Sequence, residues 1–92
     1  MTATPETNAH VTIFATEWCP FCAKLRKNLD RTDTPYDLVD VEGEGNEDAA
    51  AWVESVNDGN RVVPTVLYSD GTHATNPAAS AVREKFAELA EA

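Results

Sequence analysis

The chain has 92 residues, 42% of them hydrophobic, with sixteen acidic against seven basic side chains and a formal net charge of −9. That length and apolar share allow one domain with a modest core and exclude a chain disordered throughout. The acidic balance argues against nucleic acid and anionic membrane as partners, since both need a basic face, and two cysteines are too few for a disulfide scaffold.

Met1 to Ala9 is polar and is predicted to be a flexible tail, leaving 10–92 as the folded domain. Met1 to Asn8 holds no basic residue and no apolar run, so it does not read as a signal peptide. No stretch approaches a membrane span, and a reducing cytoplasm is the expected compartment. His10 to Ala15 is a β-rich run in which Val11 and Ile13 share one face and Phe14 takes the other, as in a strand covered on both sides. Thr16, Glu17 and Trp18 make a short loop.

Both cysteines then fall within Cys19-Pro20-Phe21-Cys22, three positions apart, and the first helix begins there. Pro20 suits the first helical position, where its missing N–H is no loss. Phe21, Cys22, Leu25 and Leu29 lie at helical spacing and are predicted to form the buried side. Lys24, Arg26, Lys27 and Arg31 place four of the seven basic residues on this one helix, either as a plain solvated face or, at Lys24 or Lys27, as a charge that adds to the field at Cys19. A turn at Thr32 to Thr34 leads past Pro35 to a second strand over Tyr36 to Val41, expected to run parallel to the first through a right-handed crossover. A second helix is predicted from Glu47 to Asn57, capped by Asn46, with Ala49, Trp52, Val53 and Val56 as its apolar stripe and Asp58-Gly59-Asn60 as its stop. Thr65 to Tyr68 is a third strand, Asp70-Gly71 a hairpin turn, and Thr72 to Thr75 its antiparallel partner. Asn76-Pro77 opens a last helix whose inner face carries Ala78, Val82, Phe86 and Leu89. The order β-α-β-α-β-β-α predicts a four-stranded mixed α/β sheet with helices on both faces.

The chemistry converges on the cysteines, because a thiol attacks only as thiolate. Cys19, at the start of its helix, meets the unpaired N–H groups of Phe21 and Cys22 and the positive end of the dipole, which favour negative charge on its sulfur. Cys22, one turn inside, lacks those donors and is expected to be more buried. Cys19 is therefore assigned as nucleophile, and Cys22 as the thiol that resolves a mixed disulfide or stands by. Trp18 either shields the site or is an ordinary half-buried aromatic. Arg61-Val62-Val63-Pro64-Thr65 enters the third strand through a proline. A cis bond there would expose the N–H and C=O of Val63 to an incoming peptide or thiol, although most X–Pro bonds are trans. Arg61 could pair a carboxylate of a ligand or simply sit near Asp58, and Asn76 could cap its helix, meet a cofactor, or both.

Cys19-Pro20-Phe21-Cys22 after a strand, with Val63-Pro64 before a strand and a terminal helix, resembles the glutaredoxin branch of the thioredoxin fold over roughly residues 10 to 90. Trp18-Cys19, Val56-Asn57-Asp58-Gly59-Asn60-Arg61, Val63-Pro64-Thr65-Val66, and Asp70-Gly71-Thr72 followed by Thr75-Asn76-Pro77 are similar to the mycoredoxins of actinobacteria. The resemblance implies a cis Pro64 and a cytoplasmic thiol–disulfide oxidoreductase. Its partners would be mycothiol and mycothiolated proteins, with mycothiol disulfide reductase acting indirectly. It implies a monothiol cycle on Cys19, with a Cys19–Cys22 disulfide as a side state or second route, in a monomer without metal. It also implies a substrate-binding set of Trp18, Pro20, Phe21, Arg61, Val63, Pro64, Thr75 and Asn76. The chain departs from the glutaredoxin pattern at Phe21 for Tyr, Val62 for Thr, and Thr16 for a Lys. Thr75-Asn76 and Pro77-Ala78 stand where glutaredoxins carry Gly-Gly and Cys-Asp. Those changes remove groups that cradle glutathione and agree with a different thiol cofactor.

Two other functions compete. A dithiol donor reduced by thioredoxin reductase and serving ribonucleotide reductase would need Cys22 for turnover. A metal-binding module is the other: a structural zinc wants four ligands where one Cys-x-x-Cys supplies two, whereas a shared iron–sulfur cluster at a dimer interface could use one or two Cys19 thiolates with added thiols. The only histidines, His10 and His73, read as plain strand residues.

Overall fold

The computed structural model describes residues 4, 5, 7 and 9–91; the tail expected over 1–9 lies largely outside the described residues. Seven elements follow in order: β1 (Val11–Ala15), α1 (Pro20–Arg31), β2 (Asp37–Asp40), α2 (Glu47–Ser55), β3 (Thr65–Tyr68), β4 (His73–Thr75) and α3 (Ala79–Glu91). The strands form one sheet in the order β2-β1-β3-β4. β1 runs parallel to β2, with Ile13 opposite Leu38, and antiparallel to β3, with Ile13 opposite Val66. β4 closes the far edge antiparallel to β3. This is the mixed sheet expected of a thioredoxin- or glutaredoxin-like fold.

Every residue of β1 and β3 is buried, because helices cover both faces of the sheet centre. On one face Val11, Ile13, Ala15 and Val66 pack with Cys22, Leu25 and Leu29 of α1 and Val82 of α3. On the other, Phe14 and Leu67 pack with Ala50, Trp52 and Val53 of α2. The Phe14 and Trp52 rings lie 5.0 Å apart between centroids, so Trp52 is core as its helical stripe predicts. Burying a side chain such as Phe14 contributes about 1.5–3 kcal/mol, and this double-sided core is what holds the β1–α1 corner in place.

Several local expectations are corrected. Phe21 is 63% exposed and not part of the α1 core face, which is Cys22, Leu25 and Leu29. It sits one position too early on the helix to face the sheet. Tyr36 lies outside β2, and its hydroxyl donates to Asp30 at 2.9 Å. Asn46 does not cap α2 with its side chain; its amide instead donates to the Asp40 carbonyl at 2.8 Å and ties α2 to β2. Ala50 is the fully buried alanine of α2, while Ala49 and Val56 of the predicted stripe pack partly buried against the same core. α2 ends at Ser55 rather than Asn57, and Asp58 and Gly59, both in the left-handed region (φ 56° and 86°), complete its stop. α3 starts at Ala79 rather than Pro77, because Asn76 adopts φ 48° and the Ala78 carbonyl accepts the first helical bond from Val82. Asn76 is therefore a turn residue, not a cap.

Candidate active site

The corner between β1 and α1 places Cys19 at the N-cap of α1 with Pro20 next. Its backbone is extended (φ −81°, ψ 114°), and its sulfur takes the role usually given to a capping oxygen, accepting the Cys22 N–H at 3.2 Å. Of the two donors expected, only Cys22 is bonded; the Phe21 N–H is not. That bond and the positive end of the helix dipole both face Sγ.

The peptide bond between Val63 and Pro64 is cis. The Cys19 thiol donates to the Val63 carbonyl at 3.7 Å, across 44 positions of sequence. Among the described residues no backbone carbonyl accepts from the Val63 N–H. The neighbouring Pro64 carbonyl takes the Asn76 N–H at 2.8 Å, so the Pro64 loop and the turn after β4 are joined beside the sulfur.

Both cysteines are free and nearly covered, Cys19 at 4% exposure and Cys22 at 1%. The expected contrast in burial is thus small, and the difference between the two lies in their surroundings. Burial, then the hydrogen bond with Cys19, push the Cys22 thiol up from an ordinary 9.0 to about 12, against the smaller opposing pull of the Thr16 N–H. Cys22 keeps its proton throughout the neutral range.

The remaining predicted site residues divide between two flanks. On one, a groove of about 250 Å³ runs between α1 and the start of α3, lined by Phe21, Lys24, Asn28, Asn76 and Pro77 among others. It carries two amides and one ammonium and no carboxylate. On the other, a cleft of about 480 Å³ is lined by Glu42, Glu44, Glu47, Glu54 and Arg61. Trp18 belongs to this side: its indole N–H donates to Glu42 at 2.7 Å while 68% of its surface stays open. Arg61 is paired with Glu54, Nε and a terminal nitrogen both 3.0 Å from one oxygen, and not with Asp58. Thr75 points its hydroxyl to the Asn57 side chain at 2.6 Å. Asn28, Glu42 and Glu54 escaped sequence reasoning, because nothing in their spacing separates a lining residue from a solvated one.

His10 packs edge-on to Phe86 and hydrogen-bonds Ser69, and His73 packs on Trp52. Among the described residues no group of three or more His, Cys, Asp or Glu stands together as a metal site. Nor is any described helix long and apolar enough to cross a membrane.

Residues 11–74, from β1 through the cis-proline loop into β4, match the family model described as Glutaredoxin. The chain belongs to the glutaredoxin family. It is 58% identical over 82 residues to Mycoredoxin 1 of Corynebacterium glutamicum, covering 89% of this chain and 99% of that protein. Its fold is similar to the glutaredoxin of Methanosarcina mazei, with a TM-score of 0.69, 23% identity, and coverage of 85% of this chain and 78% of that one. Similarity extends to the glutaredoxin of Archaeoglobus fulgidus, with a TM-score of 0.65 at 23% identity over 83% of this chain and 84% of that one. A glutaredoxin with this pair of cysteines is a thiol–disulfide oxidoreductase.

Proposed function

We propose that this protein reduces mixed disulfides between mycothiol and proteins by a monothiol cycle on Cys19. The Cys19 thiolate attacks the mycothiol sulfur of the mixed disulfide. A Cys19–mycothiol disulfide forms, and the protein sulfur leaves with the electron pair and takes a proton from solvent. A second mycothiol thiolate then attacks the mycothiol sulfur bound to Cys19, forming mycothiol disulfide and releasing Cys19 as thiolate. Mycothiol disulfide reductase would return the oxidised cofactor to the pool. In this reading the protein is a cytoplasmic monomer.

The observation that carries the choice of a monothiol cycle is the contrast between the sulfurs. Cys19 has a donor at 3.2 Å ready to hold charge, whereas burial holds Cys22 protonated up to about 12. A protonated Cys22 is a poor resolving nucleophile, so a free thiol from solution is the faster route off Cys19. Mycothiol is favoured over glutathione by charge. Mycothiol is an acetylated cysteine on a glucosamine–inositol pair and bears no carboxylate; glutathione bears two. The groove at Phe21, Lys24, Asn28 and Asn76 offers amide donors suited to hydroxyls, with the Lys24 ammonium the one group there that also suits a carboxylate. The opposite cleft, with four glutamates, repels a carboxylate, and its arginine is already neutralised by Glu54. The 58% identity to a protein named Mycoredoxin 1 points the same way.

The test is a Cys22→Ser protein offered oxidised mycothiol and oxidised glutathione separately. Intact mass is expected to show the mycothiol adduct on Cys19 forming faster, with demycothiolation retained. Loss of turnover in this variant would instead establish the dithiol route.

A further inference from the structure

Asn57 is not among the predicted site residues, yet its side chain joins three segments around the site. Its amide nitrogen donates to the Val53 carbonyl at 2.7 Å, in the last turn of α2, and to the Thr65 hydroxyl at 3.2 Å. Its amide oxygen accepts the Thr75 hydroxyl at 2.6 Å. The orientation is forced: the Val53 carbonyl can only accept, so the nitrogen must face it. Thr65 is fully buried, and its single hydroxyl proton goes to the Val62 carbonyl at 2.7 Å. Its oxygen must therefore receive its other bond, and Asn57 supplies it.

The segments so joined are those that frame Cys19. Val62 precedes Val63, whose carbonyl stands 3.7 Å from the Cys19 sulfur. Thr75 precedes Asn76, whose N–H closes on the Pro64 carbonyl at 2.8 Å. One amide thus sets the position of the Pro64 loop from behind and of the β4 end from the side. The turn that delivers it is rigid, with the Asn57 carbonyl accepting from both the N–H and the side chain of Asn60 at 3.0 and 3.1 Å.

We propose that Asn57 is a positioning residue for the thiol–disulfide exchange, setting through Thr65 and Thr75 the two main-chain edges, Val63 and Asn76, between which the incoming disulfide is held. It touches neither sulfur. The proposal rests on the reading that Val63 meets the cysteine portion of the substrate, and it requires no particular cofactor beyond that portion.

The experiment uses a mixed disulfide between N-acetylcysteine and a model peptide, and compares the wild-type protein with Asn57→Asp, Thr65→Val and Thr65→Ser. Asp cannot donate to Val53 or Thr65, Val removes the relaying hydroxyl but keeps the volume, and Ser keeps the hydroxyl but loses the methyl. Asn57→Asp and Thr65→Val are expected to raise KM about tenfold, as each loses two of the hydrogen bonds that hold the loop, to Val53 and Thr65 in the first and to Val62 and Asn57 in the second. Thr65→Ser is expected to stay within about twofold of wild type even where its melting temperature falls further than that of Thr65→Val. Alkylation of Cys19 by iodoacetamide, which needs no peptide-binding edge, is expected to change less than about twofold in all three. Wild-type KM in Thr65→Val, or a fall in alkylation rate parallel to the rise in KM, would overturn the positioning role. A wild-type protein that does not saturate with this substrate would overturn the reading of Val63 instead.

Discussion

The two flanks of Cys19 differ in the charge they present. The α1–α3 groove holds amides and one ammonium; the cleft beside α2 holds four glutamates and an arginine spent on one of them. Net charge alone suggests a uniformly acidic protein, but four of the seven basic residues are gathered on α1, while Glu42, Glu44, Glu47 and Asp48 cluster around the start of α2. The groove offers hydrogen-bond donors, and the cleft, reached from the α1 corner through the Trp18–Glu42 bond, carries excess negative charge. Selectivity in such a site comes as much from repulsion as from contact.

Removing the sulfur between the flanks is the harshest test of the comparison. Cys19→Ser is expected to lower turnover of a mixed disulfide by about a thousandfold or more, because a serine hydroxyl is not ionised at neutral pH. Steady-state kinetics would register it, and substantial residual activity would move the chemistry to Cys22. The acidic flank is challenged more gently by Glu44→Lys and Glu47→Lys. Each is expected to raise kcat/KM toward a glutathione mixed disulfide by about two- to fivefold at low salt, with little change toward a mycothiol one. The gain should fade at about 1 M salt, where exposed charges are screened. An equal gain for both thiols would mean that the cleft does not discriminate.

The smallest effect concerns the floor common to both flanks. The folded protein holds the Cys22 proton more tightly than the unfolded chain does, up to about 12 against 9.0. The resulting stability is fully present below pH 9 and is lost as pH rises toward 12. Burial raises Tyr36 and Tyr68 as well, in the same sense. Melting temperature is expected to fall above pH 9, and to fall less steeply in Cys22→Ala. Parallel curves for the two proteins would show that Cys22 contributes none of the loss.

Elements with strong local signals were legible from residues alone. β3 lies over Thr65–Tyr68 as the run of β-branched and aromatic residues predicts, and α1 starts at Pro20 as proline at the first helical position predicts. The boundaries that moved were set by contacts between distant segments. Asn46 is well suited to cap α2 but is drawn to Asp40, and the start of α3 is delayed by the left-handed Asn76, whose N–H is claimed by Pro64. Phe21 matched the helical stripe, yet the sheet begins to cover α1 only from Cys22.

The cysteine pair, its place at a helix start, the strand order along the chain and the proline ahead of β3 are all properties of the chain read locally, since propensity, capping and periodicity act over a few residues. Which carbonyl faces Cys19, that Arg61 is taken by Glu54, that the groove and the cleft carry opposite character, and that Asn57 links three segments depend on groups far apart in sequence. Hydrogen bonds and charges act over a few ångströms, so their partners are defined only once the sheet has brought the segments together.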